Sequence, residues 1–148
     1  MELQLLRGLE QHPDIAQRVA RLMTIPGVGP VLGLTWALEV GPVERLGNRA
    51  RAVSFCGLCS ALRESAGKQT RGPISKQRNA HLQTVLIEAA HLAPRWNPLL
   101  AEVRERELQR GNRNRATLAV ARKMVAFLMA ADRGHQPHSR AAPVIAAA

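Results

Sequence analysis

Apolar side chains recur at helical spacing along most of the chain, and the spacing breaks at proline, glycine and asparagine. Leu3, Leu5, Leu6, Leu9, Ala16, Val19 and Leu22 predict an amphipathic segment over 3–22, bent or divided at Pro13. A second helix follows the Ile25-Pro26-Gly27-Val28-Gly29-Pro30 turn and runs to Val40, where Gly41-Pro42 stops it. A short helix is expected over about 49–56, with Ala50, Val53 and Phe55 turned inward and Gly57 ending it. Leu82, Val85, Leu86 and Ala89 fall at the i, i+3, i+4, i+7 positions of a core-facing helix that Ser75, or failing it Asn79, would cap and Pro94 would end.

Beyond the Trp96-Asn97-Pro98 corner, residues 98–110 predict a polar helix whose Glu and Arg side chains can pair across a turn. Gly111-Asn112 closes it. A last helix over 114–131 would bury Leu118, Ala121, Met124, Val125 and Leu128 and project Arg122 and Lys123 from its other side. Between the short helix and the Leu82 helix, residues 60–75 have no long apolar period and predict an irregular loop or small hairpin. The pattern therefore predicts a mainly α protein, a helical domain with a helix-hairpin-helix-like element and a basic loop. The expected division is a helical lead-in over 1–21, the domain over 22–132, and a tail over 133–148 without a usable period.

Composition agrees with packed helices: 46% of residues are hydrophobic but only 3% aromatic, and tyrosine is absent. Charge adds more. Twenty-one Lys and Arg against 11 Asp and Glu give a net +10, which favours a polyanionic partner, DNA foremost. From Arg45 to Arg78 the bases Arg45, Arg49, Arg51, Arg63, Lys68, Arg71, Lys76 and Arg78 face one acid, Glu64. No acid occurs from Leu108 to Ala131. A solvated face normally mixes signs, so Arg63, Lys68, Arg71, Lys76, Arg78, Arg122 and Lys123 are candidate nucleic-acid contacts. Gly27 and Gly29 join them, because a turn without Cβ atoms lets backbone N–H groups approach a phosphate in front of a helix N-terminus. A glycine-rich helix corner with no ligand is the competing reading of that turn. It is not a nucleotide-binding loop, since it lacks the closing Gly-Lys-Ser/Thr.

Other chemistries find less support. Cys56 and Cys59 form a lone CxxC without two further ligands nearby, so two small, partly buried thiols are expected rather than a metal or redox site. No apolar run reaches the roughly 20 residues that cross a bilayer, and the opening MELQLLRGLEQHPD lacks the apolar core of a leader; a cytoplasmic protein with no membrane contact is expected. Ser65, in ESAGKQTRGPISK, has small neighbours and Lys68, Arg71 and Lys76 close in sequence. Such cations could stabilise the charge developed when a serine hydroxyl attacks a phosphodiester. A serine that only binds phosphate is the simpler alternative, and no His–Asp pair or carboxylate set for a divalent metal stands beside it.

Taken together, IPGVGPVLGLTWALEVG, FCGLC, SAGKQTRGPISK, NAHLQTVLIEAA and ATLAVARKM resemble, in order and spacing, the C-terminal domain of the IS110/IS116/IS902 transposases over about residues 22–132. The resemblance implies an enzyme in two parts: an RNase-H-like (RuvC-like) domain with an acidic Mg2+ site, and a C-terminal domain carrying a nucleophilic serine. It also implies a guide RNA and multimeric assembly. On this chain the serine matches Ser65, with Ala66 in place of a usual glycine, then Gly67 and Lys68; the basic loop matches Arg71, Gly72, Ile74 and Lys76, and the next helix start Asn79, His81 and Leu82. Pro73 and Arg78 replace glycines and Gln83 replaces an arginine. No acidic site precedes residue 22, so the chain is expected to bind DNA, to hold no cofactor itself, and not to transpose without a RuvC-like partner. A non-catalytic helix-hairpin-helix DNA-binding protein, or a truncated transposase remnant, stays open as the alternative.

Overall fold

The computed structural model describes residues 11–58 and 79–134, together with Gln4, Arg7 and Gly8. Among the described residues the structure is helical and contains no strand. Among the described residues the bounded α-helices are α1 (Pro13–Leu22), α2 (Pro30–Val40), α3 (Arg49–Phe55), α4 (Ala80–Leu92), α5 (Pro98–Leu108) and α6 (Arg113–Asp132), with 3-10 turns at Val43–Leu46 between α2 and α3 and at Ala93–Arg95 between α4 and α5.

Each helix start is written locally. Pro13, Pro30 and Pro98 stand in the first turns of α1, α2 and α5, where a missing N–H costs nothing. Asparagine caps four helices: Asn48 accepts from Arg51 N (2.9 Å), Asn79 from Leu82 N (2.9 Å), Asn97 from Leu99 N (3.1 Å) and Asn112 from Arg115 N (3.1 Å). Each such cap satisfies a donor the helix cannot, and is worth about 1 kcal/mol. Asn79 thus caps α4, and Ser75 lies outside the described residues. On α3 the inward residue is Ala52, fully buried, while Ala50 is exposed; two residues along a helix lie on nearly opposite sides. Val53 and Phe55 pack against the core as expected.

The long α6 runs through the centre, with α5, α4, α3 and α1 against it. Its Ala121, Met124, Val125 and Leu128 are buried, as the spacing predicts, and so are Val120, Phe127 and Met129, while Leu118, expected in the same stripe, is only partly buried against the core. Leu82 and Leu86 of α4, Leu100 of α5, and Leu32 and Trp36 of α2 meet them in one core. The polar α5 carries the expected surface pairs, Arg106 to Glu102 at 3.2 Å and Arg110 to Glu107 at 3.7 Å. None of the described helices is long and apolar enough to cross a membrane.

A polar knot that the apolar pattern does not announce ties α1 and α2 to the end of α6. The Asp132 carboxylate, at the end of α6, is almost fully buried. It accepts from Arg18 Nε (2.8 Å) and Nη2 (2.7 Å) of α1 and from Trp36 Nε1 (2.9 Å) of α2. Arg18 also donates to the carbonyls of Ala37 (3.3 Å) and Gly41 (2.5 Å). The fork geometry of guanidinium on carboxylate, with a third donor on the carboxylate, fixes α1, α2 and the end of α6 in one arrangement.

Candidate nucleic-acid interface

The turn between α1 and α2 holds Gly27 and Gly29, and the two glycines have different reasons to be there. Gly27 has φ +96, and a Cβ on it would lie 2.7 Å from the Cβ of Ala93. Its backbone is pressed against the turn that follows α4, so glycine at 27 is required by packing and by conformation. Gly29 instead is exposed, has φ −97, and would leave an added Cβ with nothing within 4 Å. It is the N-cap residue of α2 and supplies no side-chain cap. The first intrahelical bond of α2 runs from Gly33 N to Gly29 O (3.0 Å), and Pro30 has no N–H, so the N–H groups of Val31 and Leu32 have no acceptor within the helix. Those donors and the helix dipole present a positive end to an anion.

Asn97 holds this turn in place. Buried to 1% exposure, it donates from Nδ2 to Pro26 O (3.0 Å) while its Oδ1 caps α5. One side chain therefore ties the glycine turn to the start of α5. Trp96 beside it is 56% exposed. An asparagine directly before a proline is a legible cap signal; the reach to Pro26 is not.

Residues 59–78, with Arg63, Ser65, Lys68, Arg71, Lys76 and Arg78, lie outside the described residues, as does Cys59. The two ends from which that stretch departs and returns are described, and they are fastened side by side. Asn79 N donates to Phe55 O (2.7 Å), and Asn79 Nδ2 to Glu39 Oε2 (2.6 Å). Gln83 Nε2 donates to Gly57 O (2.8 Å), so the glutamine at this position anchors the end of α3. Arg122 Nη1 donates to Leu58 O (3.3 Å), and Leu58 is fully buried. Arg122 is thus half-buried and engaged with the backbone, and Lys123 lies with Nζ 5.5 Å from the Phe127 ring centroid, rather than both standing free of the helix.

Cys56 is completely buried, and burial raises its thiol from the ordinary 9.0 to about 12, so it is a protonated core group. Among the described residues no three His, Cys, Asp or Glu side chains gather where they could hold a metal ion.

Residues 19–105 match the Transposase IS116/IS110/IS902 family, and the chain belongs to that family. It is similar to a probable family 20 transposase of Pseudomonas aeruginosa, 28% identical over 128 residues, covering 84% of this chain and 38% of that protein. It is also similar to the transposase for insertion sequence element IS1111A of Coxiella burnetii, 28% identical over 120 residues, covering 74% of this chain and 31% of that protein. The chain therefore spans about a third of the length of these relatives. No solved structure matches it.

Proposed function

We propose that this chain is the DNA-binding, serine-bearing part of a transposase, equivalent to the family's C-terminal domain, with Ser65 as nucleophile on a DNA phosphodiester when an acidic RuvC-like domain accompanies it. The matched span 19–105 contains both the Gly27–Pro30 turn and Ser65, and this carries the assignment. The turn, followed by the uncapped start of α2, supports reading α1, the turn and α2 as a helix-hairpin-helix whose backbone amides meet phosphate. The working unit is residues 22–132, with α1 docked on it through Arg18.

In the proposed step the Ser65 Oγ–P bond forms and a P–O bond to a deoxyribose carbon's oxygen breaks. The Oγ proton ends on the departing sugar hydroxyl, so the balance is a phosphodiester exchanged for a phosphodiester. Lys68, Arg71 and Lys76 are the cations assigned to the developing phosphorane charge, with Arg63 and Arg78 flanking them. Mg2+ belongs with the separate acidic domain, and a guide RNA and self-association with the assembled enzyme. The four hydrogen bonds at Asn79, Gln83 and Arg122 give the Ser65 segment a fixed base.

Covalent trapping tests the assignment. Element-end DNA is incubated with the chain, guide RNA and an added RuvC-like domain, and the wild type is compared with Ser65→Ala. An adduct in the wild type alone is expected; an adduct in both, or in neither, removes Ser65 from the role. A chain that binds DNA with a salt-dependent affinity yet forms no adduct would be the non-catalytic helix-hairpin-helix protein.

A further inference from the structure

We propose that a second basic surface, built from Arg45, Arg49, Arg51 and Arg133, docks the phosphate backbone of duplex DNA. It rests on the DNA-binding reading above and adds a place that reading does not use. All four side chains are exposed. Arg45 lies on the connection between α2 and α3, Arg49 and Arg51 lie in the first turn of α3, and Arg133, from the far end of α6, is bonded to that connection. Arg133 Nη2 donates to Gly47 O (2.8 Å), and Arg51 Nη1 lies 3.4 Å from where a Cβ on Gly47 would stand. Arg45 Nη1 donates to Val40 O (3.3 Å) at the end of α2, and Arg49 begins α3.

Among the described residues no carboxylate forms an ion pair with them. The ion pairs among the described residues are Arg18–Asp132, Arg106–Glu102 and Arg110–Glu107, and none uses these four. Glu44, exposed on the same connection, is in no described ion pair and leaves the group with a clear positive excess. Capping of helix-end carbonyls accounts for Arg45 and Arg133. It does not account for Arg49 and Arg51, whose guanidinium groups make no hydrogen bond among the described residues. Like charges gathered in excess over their counter-charges repel each other, and a polyanion relieves that repulsion. The carbonyl bonds also matter for binding. Each uses one of a guanidinium's five N–H donors and holds the fork still, so the remaining donors reach phosphate oxygens with less entropy to lose. The DNA on which a transposase acts supplies such a backbone as a duplex.

Binding of the 148-residue chain to a fluorescent DNA duplex, measured by anisotropy across a salt series, tests this. Arg49→Gln/Arg51→Gln removes two charges that support no described bond, and a fourfold variant adds Arg45→Gln and Arg133→Gln, with helical content checked by circular dichroism. Arg104→Gln/Arg106→Gln on α5 removes the same charge elsewhere. Each phosphate contact contributes about 0.9 to the slope of log affinity against log salt. The Arg49/Arg51 variant should therefore lower that slope by about 2 and weaken binding roughly 10- to 100-fold near 0.1 M salt, with the fourfold variant weaker still and the α5 variant little changed. Retention of affinity and slope in the Arg49/Arg51 variant, or an equal loss in the α5 variant, overturns the surface while leaving DNA binding intact. Wild type that binds no duplex overturns both, and a patch effect seen with RNA but not with duplex DNA overturns the DNA assignment.

Discussion

Replacing Asp132 by alanine probes the joint on which the helical arrangement turns. The carboxylate is 3% exposed, the Arg18 side chain 23%, and three short bonds converge on the two oxygens. Removing one partner of a buried pair usually costs about 3–5 kcal/mol because the other charge is left without compensation. Arg18 keeps some solvent and its bonds to the Ala37 and Gly41 carbonyls, which moves the expectation toward about 3 kcal/mol. The Trp36 N–H, in a fully buried ring, also loses its acceptor, at about 1–2 kcal/mol. We expect a loss of about 3–5 kcal/mol in urea denaturation followed by circular dichroism, or a fall in Tm of roughly 10–20 °C. Asp132→Asn retains an acceptor for Trp36 and should lose about half as much. In a double-mutant cycle with Arg18→Met, a coupling of about 2 kcal/mol is expected. A loss below about 1 kcal/mol for Asp132→Ala, or additive single effects, would refute the network as a structural joint.

Gly27→Ala should cost about 2–4 kcal/mol in the same denaturation assay, from a Cβ driven against Ala93 at a positive φ. Gly29→Ala, into open space at an ordinary φ, should cost no more than about 1 kcal/mol, so any larger fall in its DNA affinity reports on the turn as a contact. Asn97→Ala should lose about 2 kcal/mol, one part from the α5 cap and one from the orphaned Pro26 carbonyl, and thermal melts of Asn97→Ala and Asn112→Ala would separate the two. Cys56 has its folded-state pKa raised, so the folded chain holds a proton that the unfolded chain releases as pH rises. Its contribution is full below pH 9.0 and is lost toward about 12, by up to on the order of 4 kcal/mol, and the stability difference between wild type and Cys56→Ala should shrink through that window. A difference that is flat with pH would show the thiol to be accessible to water.

Much of the fold could be read from the chain because its signals act over one or two turns. Proline or asparagine at a helix start and apolar residues three and four apart all act within the same stretch of backbone. The periods over 82–89 and 118–128 placed α4 and α6 against the core, and Pro30 and Gly41-Pro42 bounded α2. Ala50 was misplaced because a seven-residue helix offers too little period to fix its phase. The resemblance marked the family, while the Ser65 segment's part in it rests on sequence alone.

What tertiary structure decided are the meetings across long stretches of chain. Gly27 reads from sequence as a turn residue open to phosphate, but the packed chain brings Ala93 against it. Arg122 reads as a surface cation, but its position on α6 brings it to the Leu58 carbonyl. Asp132, the last residue of the expected domain, becomes the buried acceptor for Arg18 and Trp36. No local pattern encodes such pairings, since each depends on which helix ends the core brings together. The sequence by itself thus set the helices, their caps and an excess of positive charge; only the packing decided which of those charges are spent inside the fold and which, like Arg49 and Arg51, remain exposed.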